Sequence, residues 1–149
     1  MSRRTIAIAA ALSVLALGSH LVIASANPLA DNLFNSGVDK YKQGDYQGAI
    51  ADYTKAIEIN PHYLIAYHNR GNAKYDLSDY QGAISDYTKS LEIDPQYFMS
   101  YYNRGNTKHQ LQEYQEAIDD YDKALEIDPQ NADVYENRGV AKSNLEDYQ

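Results

Sequence analysis

The chain has no cysteine and no tryptophan, only two phenylalanines and four prolines, and fewer basic than acidic residues, 13 against 21. Without cysteine, disulfide staples, thiol nucleophiles, iron–sulfur clusters and thiolate zinc sites are all excluded, and the chain suits an oxidising or a reducing compartment equally. The shortage of positive charge gives a formal −8 at pH 7 and a pI near 4.8. That removes the footprint needed to neutralise phosphates, so no nucleic-acid partner is expected. A length of 149 residues with a mean hydropathy of −0.62 fits one modest soluble domain. Tyrosine, by contrast, is abundant: fifteen residues, every one beyond residue 40. So uneven a distribution points to a repeated module.

The one long hydrophobic run lies at the N-terminus. Arg3 and Arg4 stand there without an acid, Ile6 to Leu17 is apolar except for Ser13, and Ala24-Ser25-Ala26 supplies small residues. These are the three parts of a secretory signal peptide, residues 1–26. Cleavage after Ala26 would leave Asn27 as the first residue, and 11 basic against 21 acidic groups, a net −10. The alternative is an uncleaved anchor, since the 21 residues from Ile6 to Ala26, at about 1.5 Å each, span a hydrocarbon core. Gly18, Ser19, His20 and Ser25 weaken that option. Either way the remainder is expected to be exported, to the periplasm, a lumen or the extracellular space. Ser2-Arg3-Arg4-Thr5-Ile6 also loosely resembles a twin-arginine export signal.

An internal period governs the rest. Gly37, Gly71, Gly105 and Gly139 are 34 residues apart, and so are Lys40, Lys74, Lys108 and Lys142. Pro61, Pro95 and Pro129 keep the same step, as do Ala49, Ala83 and Ala117 and the pairs Asp52-Tyr53, Asp86-Tyr87 and Asp120-Tyr121. A fixed period in this range is the signature of a solenoid.

Within one unit, Tyr80, Ala83, Ile84, Tyr87 and Leu91 form one stripe of a helix. Asp45, Asp79 and Glu113 precede the equivalent stripes, where an acid satisfies orphan amides and favours the helix dipole. Asn60-Pro61, Asp94-Pro95 and Asp128-Pro129 end them, because the residue before proline is pushed out of the helical region. Between each proline and the next acid lies a second helix-length segment, for example Leu64 to Leu77. Each unit is therefore a helical hairpin, and the chain alternates first and second helices, ending on a first. The mid-helix glycines, each costing about 0.5–1 kcal/mol relative to alanine, imply close helix approach. Gly71 against Ala83 would bring two backbones together, with Tyr67 and Tyr87 on either side. The tyrosines at 53, 87 and 121 are assigned to the core.

These residues resemble the tetratricopeptide repeat family. Its pattern is an aromatic four residues before a glycine, an alanine, an aromatic, a small residue and a proline at fixed steps after it. Tyr67, Gly71, Ala83, Tyr87, Ser90 and Pro95 meet it, as do Tyr101, Gly105, Ala117, Tyr121, Ala124 and Pro129; the first unit has Leu33 in the aromatic place. Phrases such as Tyr-Asn-Arg-Gly-Asn look like bacterial, especially cyanobacterial, members. The resemblance implies an all-α, right-handed α-solenoid of antiparallel hairpins over residues 27–149, about three and a half repeats: 30–63, 64–97, 98–131 and a partial 132–149. Two departures stand out. Arg70, Arg104, Arg138 and the repeated lysines occupy places where the family favours leucine and tyrosine, and their heads are expected to pair with Asp52, Asp86 and Asp120. Glu146-Asp147-Tyr148-Gln149 also announces a further second helix where the sequence stops. An open solenoid end of this kind implies a fragment, or a face covered by a partner or by self-association.

The resemblance places function in a concave groove lined by the first helices. On that face lie Ile65, His68, Asn69, Asn72, Tyr75 and Asp76, matched one unit later by Met99, Tyr102, Asn103, Asn106, His109 and Gln110. Asn35, Asn69, Asn103 and Asn137 form a ladder whose amides, each donor and acceptor, suit the backbone of an extended peptide. Alanine at Asn69 and Asn103 is expected to weaken binding and leave the fold intact. Phe34, Tyr41, Tyr75 and Tyr102 are candidates for burying apolar peptide side chains. The positions matching the family's chaperone-tail clamp hold Phe34, Val38, Asn69, Met99 and Asn103, or, one repeat later, His68, Asn72, Asn103, Asp133 and Asn137. Neither frame supplies the positive charges of a carboxylate clamp.

No catalytic constellation emerges. His62, His68 and His109 lack ligand spacing or a paired nucleophile and read as surface histidines. Asp119, Asp120 and Asp122 read as a solvated helix face, and no phosphate cradle occurs because each repeat glycine sits inside a helix. No cofactor or metal is expected. The sequence thus points to an exported, non-catalytic scaffold binding proteins or peptides, with no nucleic-acid partner and membrane contact only through residues 6–26 if these are uncleaved. The alternative is the regulatory or targeting array of a larger enzyme or assembly factor.

Overall fold

A computed structural model describes residues 27–147, so the leader reading at 1–26 and Tyr148 lie outside the described residues. Seven α-helices and no strands make up these residues: α1 (Pro28–Lys42), α2 (Tyr46–Ile59), α3 (Leu64–Asp76), α4 (Tyr80–Ile93), α5 (Phe98–Gln110), α6 (Tyr114–Ile127) and α7 (Ala132–Asp147). Asn27 starts α1 by accepting from the Leu29 and Ala30 amides, with Pro28 at the first helical position. Asp45 and Asp79 cap α2 and α4 through the Gly48 and Gly82 amides. Glu113, longer by one methylene, makes no such bond at α6, which departs from the expectation. The helices α2, α4 and α6 stop before Asn60, Asp94 and Asp128, each followed by proline.

The order of packing produces a solenoid. Every helix packs on its neighbours in the chain, and α1 also touches α3, α3 touches α5 and α5 touches α7, whereas no even-numbered helix touches another. The odd helices therefore form the tighter inner layer and the even helices the outer one. Between the layers, Ala49, Ala83 and Ala117 are fully buried and Tyr53, Tyr87 and Tyr121 are 1% exposed. Beside the expected close approach, seen at Gly105 where the Ala117 carbonyl oxygen would lie 3.3 Å from a Cβ, the glycine makes room for a ring. A Cβ at Gly71 would stand 2.7 Å from Tyr87 Cε1, and the same holds at Gly37 against Tyr53 and Gly105 against Tyr121.

A buried acid ties each outer helix to the inner layer. Asp86 of α4, 2% exposed, accepts from Arg70 Nε and Nη2 at 2.8 and 2.7 Å and from Lys74 Nζ at 2.8 Å. Arg70 Nη1 reaches back to Thr54 Oγ1 of α2 at 3.0 Å, and its guanidinium lies over the Tyr67 ring. Arg104, Lys108, Asp120, Thr88 and Tyr101 repeat the arrangement. In the first unit Ser36 replaces the arginine and donates to Asp52 beside Lys40. Burial pushes the Asp52 carboxyl upward, but hydrogen bonds from Lys40 and Ser36 outweigh it and hold the group below its ordinary range. Arg138 turns instead to exposed Asp122, which occupies the place of Thr54 and Thr88. The acidic run is thus corrected: Asp119 and Asp122 are solvated, and Asp120 between them is buried because it faces two cations.

Two glycines test the ring-on-glycine contact. Gly71→Ala is expected to lower stability by about 1–3 kcal/mol in urea unfolding, because the Tyr87 ring it meets is itself held at both ends. Gly139→Ala, where a Cβ meets nothing within 4 Å, is expected to be neutral or stabilising by up to about 1 kcal/mol. Equal effects at the two sites would refute the packing account.

Candidate functional site

Three adjoining cavities of about 250, 260 and 290 Å³ run along the inner layer and form a trough. Tyr41 and Asn72 separate the first from the second, and Tyr75 and Asn106 the second from the third. Two ladders of side-chain hydrogen bonds build its walls. At the C-terminal turns of the odd helices, Tyr41 donates to Asp76 Oδ2 at 2.5 Å, Tyr75 is hydrogen-bonded to Gln110, and His109 Nε2 meets Asn144 Nδ2 at 3.0 Å. Each of these bonds joins one repeat to the next, because a residue on one odd helix faces the following odd helix at almost the same height. The three rings rest on Tyr46, Tyr80 and Tyr114, with centroids 5.3, 5.4 and 5.3 Å apart.

The second ladder uses asparagine. Asn72 Oδ1 accepts from the Tyr87 hydroxyl at 2.7 Å and from Asn103 Nδ2 at 2.9 Å. One repeat on, Asn106 Oδ1 accepts from the Tyr121 hydroxyl at 2.8 Å and from Asn137 Nδ2 at 3.0 Å. In the first repeat Val38 stands where these have asparagine, and Asn69 hydrogen-bonds the Tyr53 hydroxyl instead. Burial raises that phenol to about 12, and the Asn69 bond pulls it back only in part.

The sequence-based ladder therefore needs correction. Asn69, Asn103 and Asn137 engage side chains of the scaffold, so replacing them removes internal bonds. Asn35 is exposed and makes no hydrogen bond among the described residues. The Oδ1 atoms of Asn103 and Asn137 have no partner among those residues. Asn72 and Asn106 are the true structural asparagines, a role signalled in the sequence by their repetition at 34 residues and their replacement by Val38 and Val140.

His68 is neither a surface nor a groove residue. It is 5% exposed, with Nδ1 2.9 Å from Ser100 Oγ and Nε2 3.3 Å from Asn72 Nδ2, and its ring packs on Tyr87 and Tyr97. With the Asn72 amide donating to Nε2, the neutral ring carries its proton on Nδ1 and donates to Ser100. Burial pushes its pKa down to about 4. Phe34 packs half-buried on Tyr53 and Tyr63, and Tyr102 stacks on Phe98 while accepting from Asn137, so both lie outside the three cavities. Tyr41 and Tyr75 line the trough as expected. His62 is exposed, and among the described residues no group of three or more histidine or acidic side chains is placed to hold a metal.

A family model described as TPR repeat matches residues 37–78, 71–112 and 105–145. The chain belongs to the TPR repeat family. The fold of this TPR protein is similar to the first TPR of Spaghetti (RPAP3) bound to the HSP90 peptide SRMEEVD, with a TM-score of 0.78 and 29% identity over 83% of this chain and 98% of that one. It is also similar to the Arabidopsis OM64 TPR domain, at 30% identity and a TM-score of 0.74 over 76% and 94% of the two chains. The first TPR domain of human RPAP3 gives 29% and 0.76 over 80% and 94%. Among curated proteins, none matches this sequence.

The buried imidazole sets a pH dependence. As pH falls below about 6.5 the unfolded histidine takes a proton that the folded one refuses until about 4, so stability is complete above 6.5 and is lost through that window. Urea unfolding at pH 5 is expected to show about 2 kcal/mol less stability from this group than at pH 7. His68→Gln is expected to flatten the slope; an unchanged slope would place the titration elsewhere.

Proposed function

We propose that this TPR repeat protein is a non-catalytic protein-interaction scaffold that holds an extended peptide segment in the trough, and that it works outside the cytoplasm. The observation that carries the binding reading is the trough itself: three continuous cavities on the inner layer, walled by asparagine amides and tyrosine rings. Alternating polar and aromatic walls suit a peptide backbone with side chains set at intervals. The similarity to an RPAP3 domain bound to an HSP90 peptide supports a peptide as the ligand class. The type of peptide differs, because Phe34, Val38, Asn69, Met99 and Asn103 put no cation where a carboxylate clamp needs one. Export rests on the sequence of residues 1–26, with membrane anchoring as the other outcome.

The binding reading is tested with partners captured on the full chain and then titrated against variants. Asn103→Ala removes an Oδ1 that lines the central cavity without a partner among the described residues, and with it one scaffold bond to Asn72; loss of one ligand hydrogen bond is expected to weaken binding about two- to ten-fold with circular dichroism unchanged. Gln81→Ala, exposed on the outer helix α4, is expected to bind as wild type. The reverse pattern would move the binding surface to the outer layer. Mass analysis of the protein from its source cell tests export: a first residue of Asn27 is expected, and intact Met1 in the membrane fraction would replace cleavage by anchoring.

A further inference from the structure

We propose that the central cavity of the trough receives the side chain of a lysine or arginine, so that the partners of this protein are cationic polypeptide segments. The inference rests on the trough being the binding surface and adds the chemistry of what it selects. The cavity, about 260 Å³, holds a long side chain together with water around its head, and its lining includes Tyr41, Tyr75, Tyr87, Asp76 and Asn103.

Its one formal charge is negative, and most of its donors are already spent, although Asn106, whose Oδ1 accepts from Tyr121 and Asn137, keeps its own N–H groups free at the edge. The Tyr41 and Tyr87 hydroxyls donate to Asp76 and Asn72, and Asn103 gives an N–H to Asn72, which in turn gives one to His68. These donors serve the scaffold, whereas the second oxygen of Asp76 and Oδ1 of Asn103 remain as acceptors without partners among the described residues. Asp76 is the one charged residue in the lining, and it is exposed. Tyr41, Tyr75 and Asp76 also stand in the last turns of α1 and α3, where the helix dipoles present their negative ends. Aromatic walls around a carboxylate and a carbonyl are the surroundings that an ammonium or guanidinium prefers.

The charge pattern of the whole molecule has the same sign. Of the eleven cations beyond residue 26, eight are in salt bridges with the protein's own acids, and only Lys42, Lys55 and Lys142 make none among the described residues. The same bridges engage six of the 21 acids, leaving fifteen. A field of this sign draws cationic chains in and repels acidic ones. Lys42 lines the neighbouring cavity beside Val38 and Tyr53 and not this one.

The test uses the full chain and an array of extended synthetic peptides graded from acidic through neutral to basic, with the tightest basic binder then titrated by calorimetry. Basic peptides are expected to dominate the bound set. Asp76→Asn, which keeps the shape and still accepts from Tyr41, is expected to cost about ten-fold in affinity with unchanged circular dichroism. Glu116→Gln makes the same change in net charge on the outer helix α6 and is expected to leave affinity within about two-fold, separating the cavity from bulk attraction. Tyr41→Phe keeps the carboxylate and is expected to retain the preference for basic peptides. Equal capture of acidic and basic peptides, or equal losses from Asp76→Asn and Glu116→Gln, would overturn the cationic assignment and leave the trough as a binding surface. Capture of no peptide of any charge would overturn both.

Discussion

The carboxylates of Asp52, Asp86 and Asp120 are the points on which the stack depends. Each is buried on an outer helix and cannot be left unpaired, since an uncompensated charge there is costly. The pairing forces the inner helix of the same repeat to present two cations, or a cation and a hydroxyl, at one height and on one side. Because Arg70 and Arg104 also reach a threonine of the preceding outer helix, each guanidinium fixes three helices at once. A hydrophobic contact at the same place would tolerate sliding. A forked donor on a carboxylate has a direction, so it fixes the rotation of each helix as well as its distance.

That rotation decides what the inner face displays. Once Arg70 and Lys74 point outward to Asp86, the residues between them, Gly71 and Asn72, are committed: the first to the Tyr87 ring and the second to the Tyr87 hydroxyl. The face one step further round carries Tyr75 and Asp76, which line the trough. Core, clamp and groove are therefore consecutive faces of a single helix, and the buried ion pair sets the aim of the exposed ones.

Period, helix order, the Asp45 and Asp79 caps and the core tyrosines were legible because each rests on local chemistry repeated at a constant step. The Arg–Asp pairing was legible for a similar reason, since two unusual residue types recur in phase. The partners of the asparagines were not. Asn69, Asn72, Asn103 and Asn106 all lie on one helical face, and helical spacing alone does not say which of them turns to a tyrosine hydroxyl and which to the next repeat. His68 shows the same limit. It is enclosed by the Tyr87 and Tyr97 rings and bonded to Ser100 and Asn72, partners from different helices and a loop that only the three-dimensional arrangement brings together. Asp76 falls on the groove face by helical spacing, but its charge has no repeat to mark it, because its equivalents are Lys42, Gln110 and Asn144.

Successive odd helices are hydrogen-bonded directly to one another, whereas α2, α4 and α6 are joined through the arginines of the inner layer. Mechanically the molecule is a fan whose ribs are pinned along one edge. Flexing that spreads the outer ribs pulls on Arg70 and Arg104, each of which holds two of those ribs. Tension that straightens the stack falls first on the Tyr41–Asp76 and His109–Asn144 pins. Under the proposed function, a peptide lying along that edge would bridge the same pins, so its occupancy and the bend of the stack would be coupled and the bound segment would act as a splint.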